Sequence, residues 1–429
     1  MTIRRNIAAN YVGAGIAALA PILALPWYVS LLGIKYWGLV SFISILLGML
    51  GLASAGLAQT LVREFSRLVV DQENGQKRIA TILFGFERIY WLFALAAAVL
   101  LCLFANTIVV HWIKLGDIPA ENGRAVVYGA AAIFATLFPV AVYRSVLLGC
   151  GEQVKQNVLL SGGAVIKHGG GVLVLYFSPS IYAYLIWNVA ASFLETVITA
   201  RMSWGILKIS RAMVGWDAVE MQKLFAFTLS LSASVILGTL TMQIDKLVLS
   251  WMLPIERLGY YAIASSVAIG LLQLFSPIAS AVLPRIVQLH EQPIALKRIN
   301  YKVFAMMLTM VAVLIIVFAV AGKLILEHWL RDENVVATVY PVLLLLLVGT
   351  GMNAIYNVGY MNWLAAGATN KILKVNILSL GLAIALTPFF VAKYDLLGAA
   401  CGWLIINGIG LLLSLDWLVK GKNTHAEIS

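Results

Sequence analysis

Apolar residues in this chain come in runs of about 20, separated by short polar stretches. That is the length an α-helix needs to cross a hydrocarbon core of about 30 Å. The runs predict helices over residues 6–32, 36–62, 79–104, 125–148, 157–177, 181–204, 224–250, 258–283, 303–325, 338–362, 373–392 and 397–418. The second, seventh and eighth are longer than one span requires, which implies tilt or extension past the membrane. The longest connections are 63–78, 105–124, 205–223 and 284–302. None is large enough to fold as a domain, so function has to lie in the helices and at their mouths.

The pattern repeats. Residues Gly38 to Leu68 align with Gly259 to Leu289, matching Gly38 with Gly259, Ser44 with Ser265, Leu50 with Leu271, Ala58 with Ala279 and Leu68 with Leu289. A second set pairs Gly151 and Lys155 with Gly367 and Lys371, then Ala183 and Trp187 with Ala399 and Trp403. Each pair alone is weak in so apolar a chain, but their shared order spans half its length. The implied unit holds six helices, an even number, so the second unit enters the membrane from the same side as the first. The expected fold is an all-α polytopic membrane protein of about twelve transmembrane helices in two pseudo-symmetric six-helix lobes around a cleft. Its divisions are 1–204, a cytoplasmic linker 205–223, a second lobe 224–418, and a cytoplasmic tail 419–429.

Composition agrees. The 429 residues are 62% hydrophobic and 11% charged, where a soluble domain carries roughly 25% charged residues. Such a chain cannot cover a water-facing surface and needs lipid as its outer solvent. The net charge of +11 raises nucleic acid as a partner, but the placement of the charges argues against it. With the N-terminus in the cytoplasm, 19 of the 30 Lys and Arg fall on the inner side, 7 on the outer side and 4 within helices. This positive-inside bias puts both termini in the cytoplasm. The three cysteines, Cys102, Cys150 and Cys401, have no metal or disulfide spacing. No nucleotide-cradling loop, zinc-binding HExxH or nucleophile elbow occurs. No cofactor is therefore expected.

Ionisable residues within the bilayer face protein or water and lean towards function. Lys167 stands near the middle of the fifth helix, with Gly163 and Gly171 one turn away on the same face. One reading is a mid-membrane cation that meets an anionic substrate; the other is a structural partner of Glu87 or Glu195. Arg144, one turn past Pro139, fits a cavity role or an inner-surface position equally. Glu87 and Arg88 are adjacent and point about 100° apart, so one can face a cavity and the other a neighbouring helix. Glu195 sits at a depth suited to neutralising Arg144 or Arg88. In the seventh helix Thr228, Ser232, Thr239, Gln243, Lys246 and Ser250 form a polar stripe, which points to a cleft or to helix packing. Asp245 beside it suits ion coupling or ion pairing. Asn353, Tyr356, Asn357 and Tyr360 give the tenth helix a polar face suited to sugar hydroxyls. Asn6, Asn10 and the prolines Pro21 and Pro26 mark the first helix, which the prolines would bend. The anion-binding candidates are thus Lys167, Lys246, Arg144 and Arg88, and the polar lining is Thr239, Gln243, Asn353 and Asn357.

The segments Gln243-Ile-Asp-Lys-Leu-Val-Leu-Ser, Leu258-Gly-Tyr-Tyr-Ala-Ile-Ala and Pro277-Ile-Ala-Ser-Ala-Val-Leu-Pro-Arg285 resemble the polysaccharide-biosynthesis flippase family. So do Gly38-Leu-Val, Arg63-Glu-Phe-Ser-Arg and Ala366-Gly-Ala-Thr-Asn-Lys371. The chain is similar over its length to Wzx-type O-antigen flippases of the multidrug/oligosaccharidyl-lipid/polysaccharide (MOP) exporter superfamily. The resemblance implies a MATE-like fold. It also implies transfer of an undecaprenyl-diphosphate-linked oligosaccharide from the cytoplasmic to the periplasmic leaflet, by alternating access around a cationic cavity. Candidate partners are that lipid-linked oligosaccharide, membrane lipids, and the polysaccharide polymerase and chain-length machinery. Two alternatives stay open. One is a cation-coupled multidrug exporter of the same fold, which a cavity richer in Lys and Arg than in Asp and Glu disfavours. The other is a membrane polysaccharide polymerase or acyltransferase, which the short outer loops disfavour.

Overall fold

The computed structural model describes residues 3–71 and 74–420. Among them secondary structure is helical, with no β-strand. The chain divides into two compact units, Met1–Ile236 and Leu237–Ser429. The first is built from α1 (Ile3–Leu32), α2 (Ile34–Gly51), α3 (Ala55–Leu68), α4 (Gly75–His111), α5 (Ala120–Leu137), α6 (Val140–Gly149), α7 (Gln153–Phe177) and α8 (Ile181–Leu207). Next comes α9 (Ala218–Thr241), which crosses the boundary between the units. The second unit continues with α10 (Ile244–Met252), α11 (Ile255–Leu272), α12 (Ser276–Gln288), α13 (Pro293–Leu330), α14 (Glu333–Ala365), α15 (Thr369–Ser414) and the short α16 (Asp416–Lys420). The expected linker 205–223 holds the end of α8, a 3-10 turn at Arg211–Met213 and the start of α9. The division into units falls later, inside α9. Most of the tail 419–429 lies outside the described residues.

Nine helical stretches among the described residues are long and apolar enough to cross a membrane. One of them, Thr369–Leu418, holds two expected spans, because Asp395 leaves the helical region (φ 54, ψ −129) and divides α15. The second, fourth, seventh and eighth expected helices are each interrupted, the second by a 3-10 turn at Leu52–Ser54 between α2 and α3. The fourth breaks at Phe138–Pro139 between α5 and α6, the seventh at Met242–Gln243 and the eighth at Gln273–Phe275. Hydropathy averages over many residues and passes over interruptions this short. The first helix holds Pro21 and Pro26 and stays continuous.

Element boundaries repeat along with the sequence. The starts of α2 and α11, Ile34 and Ile255, lie 221 residues apart, as do the starts of α3 and α12, Ala55 and Ser276. The G-x-x-x-K turns match in backbone detail. Gly151, between α6 and α7, and Gly367, between α14 and α15, adopt φ 77° and 65°. These left-handed values favour glycine. At the first turn Glu152 N–H donates to Leu147 O (2.8 Å) and Gly151 N–H to Leu148 O (3.1 Å). At the second, Ala368 N–H donates to Trp363 O (2.8 Å) and Gly367 N–H to Leu364 O (3.1 Å). Both pairs form the six-to-one and five-to-two closure of a Schellman helix end.

Packing follows the rules of lipid solvent. Leu92, Leu95, Val99 and Leu103 of α4, and Ile316, Val320 and Leu324 of α13, point outward and are exposed, which water would penalise and lipid does not. Lipid supplies no hydrophobic drive between helices, so shape and hydrogen bonds hold them together. In the first unit Phe65, Leu83, Phe86, Phe134, Phe138 and Tyr143 pack α3, α4, α5 and α6 together. In the second, Asn300 and Asn362 exchange side-chain hydrogen bonds of 2.9 and 3.1 Å between α13 and α14.

Candidate functional site

The first unit gathers the ionisable candidates of its helices into two groups. On α6 and α8, Arg144 forms an ion pair with Glu195. The Nε of Arg144 is buried with no hydrogen-bond partner among the described residues. Lys167 of α7 feels both of those charges. Its ammonium nevertheless makes no ion pair or hydrogen bond among the described residues. Two cations, Arg144 and Lys167, thus share the single carboxylate of Glu195, which leaves a net positive charge among these described residues.

The glycines of α7 serve close approach. The helix runs unbroken from Gln153 to Phe177, so the glycine run does not unwind it. A Cβ at Gly163 would lie 3.2 Å from the Glu195 carboxyl carbon, one at Gly170 would overlap the Trp187 ring, and one at Gly171 would lie 2.6 Å from the Tyr28 hydroxyl. These absent side chains let two donors reach the α7 backbone. Trp187 Nε1 donates to Lys167 O (3.0 Å) and Tyr28 Oη to His168 O (3.1 Å). The backbone that carries Lys167 is therefore pinned from α8 and α1. Further along α7, Asn157 donates to Asn10 of α1.

The second group surrounds Glu87 of α4. Its two oxygens accept from Arg211 Nη2 (2.9 Å) and from Trp204 Nε1 (2.9 Å). Arg211 also lies 5.0 Å from the Trp204 ring centroid, a cation–π distance. A cavity of about 460 Å³ opens here, bordered by Trp91, Tyr143, Arg201 and Trp204. An adjoining one of about 400 Å³ adds Phe84 and Arg88. The guanidinium of exposed Arg88 sits 3.4 Å from the Phe84 ring centroid. Arg88 thus belongs to this group and does not join Lys167 and Arg144. Tyr143 and Thr196 line the cavity, and their chain neighbours, Arg144 and Glu195, form the ion pair of the first group. Together the groups hold Arg88, Arg144, Lys167, Arg201 and Arg211 against Glu87 and Glu195.

The second unit treats its candidates differently. The break before α10 puts Asp245 in a first helical turn, where a carboxylate suits the helix dipole. Asp245 is buried and accepts from Tyr261 Oη (2.6 Å) and from the Lys246 backbone N–H (2.8 Å). The Lys246 ammonium lies 3.6 Å from the same carboxylate and 3.4 Å from Met242 O. Lys246 is thus a partnered cation, unlike Lys167. Gln243 occupies the N-cap position of α10 without a side-chain capping bond. Thr239 lies in the last turn of α9. The side chains of Asn6, Thr228 and Ser232 lie outside the described residues. In α14, Asn353 donates to Asn407 Oδ1 (2.7 Å) and Asn357 donates to its own helix at Asn353 O (2.9 Å). Asn353 therefore joins α14 to α15. Tyr356 and Tyr360 pack beside Trp363.

Sequence reasoning missed Arg211, Trp204, Tyr261 and Tyr28. Arg211 counted as a loop charge, and nothing in local spacing ties it to Glu87. Trp187 did carry a signal, its repeat match with Trp403.

The chain matches the polysaccharide biosynthesis protein family over residues 3–290. It is 24% identical over 419 residues, 97% of this chain and 98% of the relative, to a Shigella flexneri protein described as a "Putative O-antigen transporter". Among solved structures it is similar to the lipid II flippase MurJ in an inward closed conformation, with TM-score 0.76 and 15% identity, covering 97% of this chain and 88% of that one. It is also similar to an inward-facing multidrug resistance MATE family transporter of the MOP superfamily, with TM-score 0.73 and 13% identity, covering 96% and 98%. At such identities these two structures speak to fold alone, and the fold is MATE-like.

Proposed function

We propose, since this chain belongs to the polysaccharide biosynthesis protein family, that it flips an undecaprenyl-diphosphate-linked oligosaccharide from the cytoplasmic to the periplasmic leaflet. The chain is a multi-pass protein of the bacterial inner membrane. In this reading about twelve helices cross the bilayer with both termini in the cytoplasm, and alternating access moves the cargo. The observation that carries the proposal is the cationic excess in the first unit, above all a Lys167 ammonium that makes no ion pair or hydrogen bond among the described residues. A diphosphate is the group such a site accepts. Arginine offers a fork that matches phosphate oxygens, and lysine offers a point charge. Low-dielectric walls strengthen both attractions. Beside the arginines, Trp91, Tyr143 and Trp204 give apolar ring faces with polar tips, suited to the mixed surface of a sugar.

A drug exporter of the same fold would need the opposite sign, because cationic drugs call for carboxylates. Both carboxylates of this site are occupied, Glu87 by Arg211 and Glu195 by Arg144. Cells that lose the gene should stop displaying the polysaccharide and accumulate its lipid-diphosphate-linked repeat unit on the cytoplasmic face. A plasmid copy should restore display. Unchanged surface polysaccharide, with a new sensitivity to cationic drugs, would favour the exporter reading.

A further inference from the structure

A second cationic cavity lies far along the chain from the groups just described, where α12 gives way to α13. It holds about 620 Å³, and Arg285, Arg298 and Lys302 line it with no carboxylate among the lining residues. Arg285 donates to Gln288 Oε1 (3.1 Å). Arg298 and Lys302 make no ion pair or hydrogen bond among the described residues. They stand four residues apart on α13, a spacing at which like charges repel along a helix face. An anion seated between them would turn that repulsion into attraction. The cavity also sits at the start of α13, where the helix dipole favours negative charge.

Its apolar lining indicates what kind of anion. Leu289 and Ile299 line the cavity, and Ile294 on its rim is 87% exposed. A free phosphate has no use for these side chains, and water penalises an isoleucine left so open. A phospholipid satisfies both parts, with its phosphate on the cations and its upper acyl chains on the isoleucine. The positive-inside bias places this junction at the cytoplasmic face, the side on which basic pockets between membrane helices take lipid head groups.

We propose that the α12–α13 cavity binds the phosphodiester head group of an anionic membrane phospholipid from the cytoplasmic leaflet. The site shares no residue with the groups around Lys167 and Glu87 and does not rest on the flippase reading. The full-length chain, purified in mild detergent, can be mixed with equal parts of phosphatidylglycerol and phosphatidylcholine and examined by native mass spectrometry. The wild type should retain phosphatidylglycerol selectively. Arg298→Gln and Lys302→Gln should each weaken retention about fivefold, the worth of one cation at an anionic surface. Lys323→Gln, at the far end of α13, should leave it unchanged. The heat-unfolding midpoint should rise with added phosphatidylglycerol in the wild type and not in Arg298→Gln/Lys302→Gln. That comparison separates lost binding from a damaged fold, because lipid-free midpoints of the two proteins should agree. Equal retention in wild type and the double variant would overturn the proposal. So would displacement of the lipid by millimolar inorganic pyrophosphate, which would make the site one for soluble anions.

Discussion

Replacing Lys167 with methionine should reduce surface polysaccharide roughly 10- to 150-fold while the protein still inserts at normal levels. The magnitude is that of one charge-assisted hydrogen bond to a phosphate, about 1.5–3 kcal/mol. Methionine keeps the length and apolar stem of the side chain, so packing around α7 should survive. The expectation rests on the state of the ammonium, which feels Arg144 and Glu195 but pairs with neither. Lys246→Met is the comparison. Its ammonium already faces Asp245 at 3.6 Å, so a substrate gains little from it and export should fall only a few-fold. Lys167→Arg should retain much of the activity, because it keeps a cation at the same place. Immunoblotting of surface polysaccharide, normalised to the amount of membrane-inserted protein, reads all three. Equal loss in Lys167→Met and Lys246→Met would remove Lys167 from its special position.

Glu195→Ala should damage the protein more than removal of the whole pair. Arg144 has its Nε buried and unpartnered, and Glu195 is the only carboxylate it pairs with among the described residues. The pair is partly buried, and deleting one partner leaves an uncompensated charge, at a cost that the fully buried case caps at about 3–5 kcal/mol. The neighbouring Lys167 adds to the penalty, because two cations would then share a site that now holds one anion. The double variant Arg144→Met/Glu195→Leu removes both charges and should recover most of the stability, because no unpaired charge is then left in the helix bundle. The readout is the unfolding of each purified variant in detergent. A double variant no more stable than Glu195→Ala would mean that the pair does not account for the loss.

How much of this was legible beforehand depends on the length scale of each feature. The spans were legible because hydropathy over about 20 residues is a coarse property; the fifth helix, expected at 157–177, is α7 at Gln153–Phe177. The turn repeat was legible because Gly151 and Gly367 need a conformation that favours glycine. The Met242–Gln243 break was not, since two residues barely change a window average. That break matters chemically, because it places Asp245 in a first turn where it captures Lys246. The glycines around Lys167 were visible, but their purpose was not. Their partners Trp187, Tyr28 and Glu195 come from other helices, and packing partners leave no mark at the position they touch. Glu87 and Arg211 meet across more than a hundred residues of chain, a pairing that charge counting had treated as topology.

Carriage of a lipid-diphosphate-linked sugar across a bilayer can be tested in a defined system. Purified wild-type protein would be reconstituted into liposomes that carry an undecaprenyl-diphosphate-linked oligosaccharide, and the appearance of the sugar on the opposite leaflet followed by accessibility to an added lectin. Translocation should depend on the protein and fall at least about tenfold with Lys167→Met, as expected for loss of one charge-assisted phosphate contact. Translocation no faster than in protein-free liposomes, from protein that is folded and inserted, would contradict it.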